Sequence, residues 1–350
     1  YDTVRYVPLE TNDSCLVGNW PSLQVVGGHL VVSSYTTQSL CHSFDKQTGR
    51  YMARIGHTGD DPQAYTASNP DYNERDGLLY FLREPDALQK YDLQGGYHGI
   101  LKLGTKFPMP VQYAFTDSLI VGRFNNRWPA SPCAMLSFRP DGQLQDSIFD
   151  PMARVAYPPT APFGKTQLKQ LAGATLALTT FGGGSAWNSI KGGSMYTYDG
   201  QVKYHADFSD TVYVVQGSRL KPSIAFHTGA YHFPPEGRAQ DYGYADKVVI
   251  TQVSETPKCI LFYAARGIYS ETPDNYVGVY DRRTGSLRMA HTEGALMDDL
   301  TGFMPYKGNL IQAFEVVEWL AAHPEAKENP ALAPLLKVQE EDNPIAVITE

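Results

Sequence analysis

Ser43-Phe44-Asp45-Lys46-Gln47-Thr48-Gly49, followed by the alternating run Arg50 to Ile55, is the stretch from which the fold is read. An aromatic residue closes one alternating run, a polar turn ends in glycine, and a second alternating run begins. The pattern returns as Lys90-Tyr91-Asp92-Leu93-Gln94-Gly95-Gly96 and as Ser137-Phe138-Arg139-Pro140-Asp141-Gly142. It returns again as Thr197-Tyr198-Asp199-Gly200 and as Val279-Tyr280-Asp281-Arg282-Arg283-Thr284-Gly285. The aromatic recurs after 47, 47, 60 and 82 residues, and a spacing in the forties is that of a four-stranded propeller blade. Alternation buries one face of each strand. Asp-Gly and Thr-Gly fit the positive-φ positions of tight hairpin turns.

A second hairpin of the same style lies upstream of each repeat, such as Leu23–Val26, Gly27-Gly28 and Leu30–Tyr35, or Val111–Phe115, Thr116-Asp117-Ser118 and Leu119–Phe124. The blades then read as 23–56, 67–103, 110–149 and 247–292, with 160–246 holding one blade or one and a half. The last blade starts near Gly302, turns at 306–309, runs through Leu310–Val317 and ends with Pro344–Thr349. Its outer strand is supplied by Thr3–Leu9, which would pair with the C-terminal strand and close the ring. Helical spacing over Glu315–His323 and Pro330–Val338 places a short helical insert inside that last blade. The expectation is an all-β chain: a six-bladed β-propeller of four-stranded antiparallel blades in one domain, residues 1–350, with seven blades if 160–246 divides.

Composition limits the function classes. With 350 residues and a net charge of −8, the surface argues against nucleic acid and anionic membranes as general partners. Glycine (31), proline (24), tyrosine (23) and phenylalanine (15) in these numbers exclude a coiled coil, a collagen and an acidic disordered chain. No run of 18 apolar residues exists to form a transmembrane helix. Cys15, Cys41, Cys133 and Cys259 form no Cys-x-x-Cys pair, which excludes zinc-knuckle patterns and reads as buried thiols. The chain begins Tyr1-Asp2, which reads as a removed targeting segment or a trimmed chain.

Several short segments, in order along the chain, resemble the six-bladed, TolB-like or NHL-like β-propeller lipoproteins of Bacteroidetes, a family of uncharacterised function. They are Val7-Pro8-Leu9-Glu10-Thr11, Ile55-Gly56-His57-Thr58-Gly59-Asp60-Asp61-Pro62-Gln63-Ala64-Tyr65, Asp210-Thr211-Val212-Tyr213 and Asp342-Asn343-Pro344-Ile345. The second resembles the family's Gly-x-Gly-x-Pro-x-Glu-Tyr loop, with Ala64 in place of the acidic residue. The resemblance implies an exported, periplasmic or cell-surface protein, lipid-anchored through a cysteine upstream of Tyr1. It implies no catalytic residues and no cofactor.

Loop lengths carry the functional reading. In a four-stranded blade the two hairpin turns lie at one end, and the middle and inter-blade connections lie at the other. The first set is short here; the second is long, at 56–66, 125–132, 150–166, 182–193, 234–246, 265–275 and 318–342. Long connections in a compact domain are commonly functional. Aromatic residues on them, Tyr65, Trp128, Trp187, Tyr242 and Tyr269 among others, could stack on a sugar or grip a peptide. The plainer reading is that these rings pin the loops to the rim. His57, Asp60 and Asp61 form a polar cluster, more simply a turn cap than a metal site. Arg123, Asn125 and Arg127 beside Trp128 could take a carboxylate, or be ordinary surface groups.

No Gly-x-Ser-x-Gly elbow, no His-Glu-x-x-His and no phosphate loop is present. The expected function is therefore non-enzymatic binding of a glycan or an envelope protein at the long-connection face. The alternative is a glycan hydrolase or lyase using Asp60, Asp61, Asp241 or Asp274.

Overall fold

A computed structural model describes residues 4–19, 21–34, 40–105, 109–124, 133–150, 162–191, 195–292 and 309–349. The chain opens with strand β1 (Val4–Pro8). A first meander follows: β2 (Ser22–Val26), β3 (His29–Ser34), β4 (Leu40–Asp45) and β5 (Tyr51–Arg54). A second is built from β6 (Asp71–Asn73), β7 (Leu78–Arg83), β8 (Ala87–Tyr91) and β9 (Tyr97–Lys102), and a third from β10 (Gln112–Phe115), β11 (Ile120–Arg123), β12 (Cys133–Phe138) and β13 (Leu144–Phe149). Next comes a three-stranded sheet, β14 (Phe163–Leu171), β15 (Ala174–Phe181) and β16 (Ala186–Lys191). Two more four-stranded meanders are β17 (Met195–Tyr198), β18 (Gln201–His205), β19 (Thr211–Gln216) and β20 (Arg219–Ala225), then β21 (Val248–Glu255), β22 (Cys259–Arg266), β23 (Asp274–Asp281) and β24 (Leu287–His291). The chain ends with β25 (Asn309–Ile311), helix α1 (Ala313–Ala322), the 3₁₀ turns Pro324–Glu328 and Pro330–Lys337, and β26 (Ile345–Thr349).

Every pairing between these strands is antiparallel, and five sheets among the described residues have four strands in chain order. The Asp-x-x-Thr-Gly repeat works as its chemistry demands. Asp45 Oδ1 accepts from the backbone N–H groups of Gln47 and Thr48 and from the Thr48 hydroxyl. Asp281 repeats this towards Arg283 and Thr284. These bonds hold Asp45 and Asp281 below the usual carboxylate range.

The chain folds as two compact units, Tyr1–Met109 with Leu296–Glu350, and Pro110–Ala295. In the first, β1 pairs with β26 over its whole length, from Val4 opposite Thr349 to Pro8 opposite Ile345, and β25 lies on the other side of β26. Val7, Leu9, Ala346 and Ile348 of this sheet pack on Leu30, Val32 and Phe44 of the first meander. That meander's other face (Val26, Val31, Cys41) packs on Leu79, Phe81 and Tyr91 of the second. Sheets stacked face to face in chain order through apolar side chains are the packing of propeller blades.

The last blade's strand ends earlier than the run Leu310–Val317 implied. It stops at Ile311, and Gln312 with Glu315 forms a capping box that starts α1 at Ala313. Ala313, Val316 and Leu320 then meet Leu332 and Leu335 of the 3₁₀ segment on the Tyr6, Ile345 and Val347 face of the sheet. The stretch from Gly302 to Gly308 falls outside the described residues.

The second unit fills 160–246 with one four-stranded and one three-stranded sheet. Its regular sheet is β17–β20, beside β10–β13: Gln112 Nε2 donates to the Met195 carbonyl, 3.1 Å away. The β17–β20 sheet in turn packs on β21–β24 through Val212, Ile250, Val253 and Phe262. The remaining segment became the separate sheet β14–β16, so Trp187 sits in a strand and not in the loop 182–193 expected for it.

Candidate functional site

The loop 57–65 is rigid and displays its polar side chains. Arg83 donates to the Ala64 carbonyl (2.6 Å), Gln89 Nε2 to the Pro62 and Ala64 carbonyls, and the Tyr91 hydroxyl to the Gln63 carbonyl (2.6 Å). With the carbonyls turned inward, Asp60 and Asp61 are exposed. His57 Nε2 lies 2.6 Å from Asp61 Oδ2 and holds that carboxyl below its ordinary range. Tyr65 belongs to the core instead. It is 1% exposed, stacks on Phe81 at 4.4 Å, and its hydroxyl donates to the Ile55 carbonyl. Its aromaticity pins the loop, which is the plainer of the two readings.

In the other unit, Trp187 is 2% exposed, and the Arg238 guanidinium lies over its ring at 4.1 Å. Arg238 is itself buried, also lies over the Phe208 ring at 5.3 Å, and donates to the Asn188 carbonyl. The Asn188 amide donates to the Tyr269 hydroxyl (3.0 Å) and the Gln240 carbonyl, and Tyr269 donates to the Gly237 carbonyl (2.7 Å). Trp187 and Tyr269 are thus brought together, but as the seat of β16 on the 226–247 and 267–273 connections. A buried ring cannot stack on a ligand, so the expected contact role of Trp187 is corrected to a structural one, while Tyr269 is half-buried with its hydroxyl committed to Gly237. Tyr242 alone among the described candidate aromatics is exposed, at 70%. Arg123 donates through Nε to Gln112 at 3.0 Å. Asn125, Arg127 and Trp128 lie outside the described residues.

Sequence reasoning missed Asp207. Its Oδ2 accepts from the Ile190 N–H at 3.1 Å, and burial pushes its carboxyl above the ordinary value against the pull of Arg238 and Arg123. Nothing in the spacing marks it, since its partners come from β16, the 235–239 turn and β11. Of the carboxylates considered for hydrolysis, Asp274 is held by Arg266 at 2.7 Å and Asp61 by His57. Among the described residues no three His, Cys, Asp or Glu side chains gather as a metal-binding group.

A larger concavity than these contacts leave lies elsewhere in the second unit. A groove of about 830 Å³ runs between β20 and the β21–β24 sheet. Its floor is one face of that sheet, fixed by register: Ile260, Phe262, Ala264 and Arg266 of β22 lie opposite Tyr280, Gly278, Tyr276 and Asp274 of β23, and Leu287 and Met289 lie opposite Tyr280 and Gly278. Gly278 lets the Phe262 ring lie flat there, since a Cβ would come within 2.1 Å of it. The facing wall is Ile224, Phe226, His227 and Tyr231. Val212 and Phe226 pack on Ile250 and Phe262, while the β24 side of the floor stays open. Leu287, Met289 and Tyr231 are left 56%, 50% and 53% exposed.

Stacked four-stranded meanders define a β-propeller-like all-β protein carrying an open apolar groove. Within that class, the chain belongs to the DUF4934 family, a domain of unknown function whose model matches residues 1–350. Its fold is similar to that of a "putative exported protein" from Bacteroides fragilis, with a TM-score of 0.67 and 14% identity over 99% of this chain and 95% of that one. The C-terminal WD40 domain of Sif2 matches at a TM-score of 0.35 and 11% identity, over 75% of this chain and 67% of that one. The WD40 domain of SCAP from fission yeast matches at 0.33 and 8%, over 89% and 80%. No curated protein matches the chain in sequence.

Proposed function

We propose that the protein is a non-enzymatic binding protein of the bacterial cell envelope and that its ligand docks in the groove between β20 and β21–β24. The observation that carries this is the groove itself. Its volume is that of small-ligand sites, and its lining combines aromatic and aliphatic side chains with few polar groups. Neither strand wall covers it.

Export to the periplasm or cell surface, with a lipid anchor on the precursor, rests on the family resemblance and on the description of the Bacteroides fragilis protein of similar fold. No helix among the described residues is long and apolar enough to cross a membrane. We also count six blades, with β14–β16 as an insert and closure through β1 and β26. The adjacency of β10 to β17 supports that count, because it leaves no place for β14–β16 between those blades.

The test is a thermal-shift panel of envelope glycans, acidic and apolar peptides, and lipids. It is run on the wild type and on a Leu287→Glu/Met289→Glu variant. A ligand that stabilises the first by several degrees and not the second is expected. Turnover of a panel member, or binding indifferent to the variant, would contradict the reading.

A further inference from the structure

The groove's chemistry is graded along its length. Seven residues of β22, Ile260 to Arg266, run along the floor, which makes it ~20 Å long at strand rise. One end, at Arg266 and Asp274, is a closed ion pair with Nη2–Oδ2 of 2.7 Å. The other end, beyond Tyr280 and Leu287, is cationic. There Glu255 is buried and shared among Arg282, Lys203 (Nζ–Oε1 3.7 Å) and the Tyr196 hydroxyl (3.0 Å). The Arg282 N–H bonds the Lys258 carbonyl (2.9 Å), and Lys221 sits across Val214 from Lys203 in the same sheet row. Around the Glu255 carboxylate, Lys203, Arg282, the Lys258 bonded to Arg282 and the adjoining Arg283 outnumber Glu255 and the adjoining Asp281. In a chain of net charge −8 this is a local reversal of sign.

The floor also discriminates between ligand classes. β22 and β23 are paired on both sides, so their backbone donors and acceptors are committed to the ladders. A peptide lying in the groove would bring one N–H and one C=O per residue and find few partners, which is costly. An acyl chain brings none.

We propose that the groove binds a single-chain anionic amphiphile, a long-chain fatty acid. Its hydrocarbon lies over Phe262, Tyr276 and Met289, and its carboxylate meets the Lys258–Arg282–Arg283 end. The inference rests on the groove being the binding site, as proposed above, and names the ligand for it.

The test is a fluorescence titration of the whole chain with cis-parinaric acid, displaced by palmitate or by hexadecanol. Saturable one-to-one binding is expected, with palmitate displacing at least tenfold better than hexadecanol. Leu287→Glu/Met289→Glu should weaken binding tenfold or more with an unchanged melt, since both side chains are exposed. Lys258→Glu/Arg283→Glu should weaken palmitate severalfold and leave hexadecanol unaffected. Absence of saturable binding, equal displacement by acid and alcohol, or unaltered binding by the groove variant would overturn the inference. A glycan or peptide that binds the wild type and not the groove variant would overturn the fatty acid while leaving the groove as the site. If no member of either panel responds to the groove variant, both fall.

Discussion

Single residues set the tolerances of this molecule, and Gly49 is the clearest. It turns β4 into β5 with φ of +72°, and a Cβ there would come 2.0 Å from the Pro8 carbonyl oxygen. The turn therefore fixes both the hairpin and the seat of β1, since the Gly49 carbonyl also accepts from the Glu10 N–H. Gly49→Ala adds left-handed strain and a backbone clash, and should cost about 2–3 kcal/mol in urea unfolding. A loss below a few tenths would contradict the close approach.

Two histidines act at the same scale through charge. Burial lowers His42 and His205 to about 4. His205 Nε2 donates to the Ser209 carbonyl, whereas neither ring nitrogen of His42 finds a hydrogen-bond partner among the described residues. The folded state thus binds fewer protons than the unfolded one between pH 4 and the ordinary histidine value near 6.5. Stability is full above that window and falls as pH drops through it, by up to roughly 3 kcal/mol per buried histidine. Urea midpoints at pH 7 and pH 5 should show the loss, and His42→Phe should reduce it. A midpoint independent of pH would contradict the buried neutral rings.

At the scale of elements, the repeat made most of the meanders legible. The expected blades 23–56, 67–103, 110–149 and 247–292 each contain one observed four-stranded sheet, because Asp-Gly and Thr-Gly turns mark hairpins locally. The β14–β16 sheet was not legible. Its strands alternate like any others, and what separates them from a blade is where they dock. Ala172 N–H donates to Asn275 and Thr251 donates to the Ala172 carbonyl, contacts about 80 to 100 residues away in sequence.

Aromatic residues misled for a related reason. Tyr65 and Trp187 read as loop residues available to a ligand, and alternation does not reveal which face a neighbouring sheet will cover. Little of the groove was legible, because its walls belong to strands of two sheets whose juxtaposition is a property of packing. The Arg238 contacts make β16's docking testable. Arg238→Met should remove about 3 kcal/mol, leaving the buried Asp207 with Arg123 as its remaining cation, and should speed hydrogen exchange across 186–191. Unchanged exchange there would contradict the seat described for that sheet.

At the scale of the molecule, the first unit is held by the pairing of its two chain ends. β1 buries Tyr6 and Val7 and covers one edge of β26, whose Ile345, Val347 and Ile348 are buried. Removing residues 1–10 should uncover that edge and lower the melting temperature by ten degrees or more in calorimetry. A melt equal to that of the full chain would contradict the weight given to this pairing. For the proposed amphiphile site, the decisive measurement is hydrogen–deuterium exchange of the full chain with and without saturating palmitate. Slowed exchange confined to 219–231, 259–266 and 274–291 is the expected result. Protection that instead falls on 57–65 or 236–244, with those strands unchanged, would return the site to the long connections and contradict the groove.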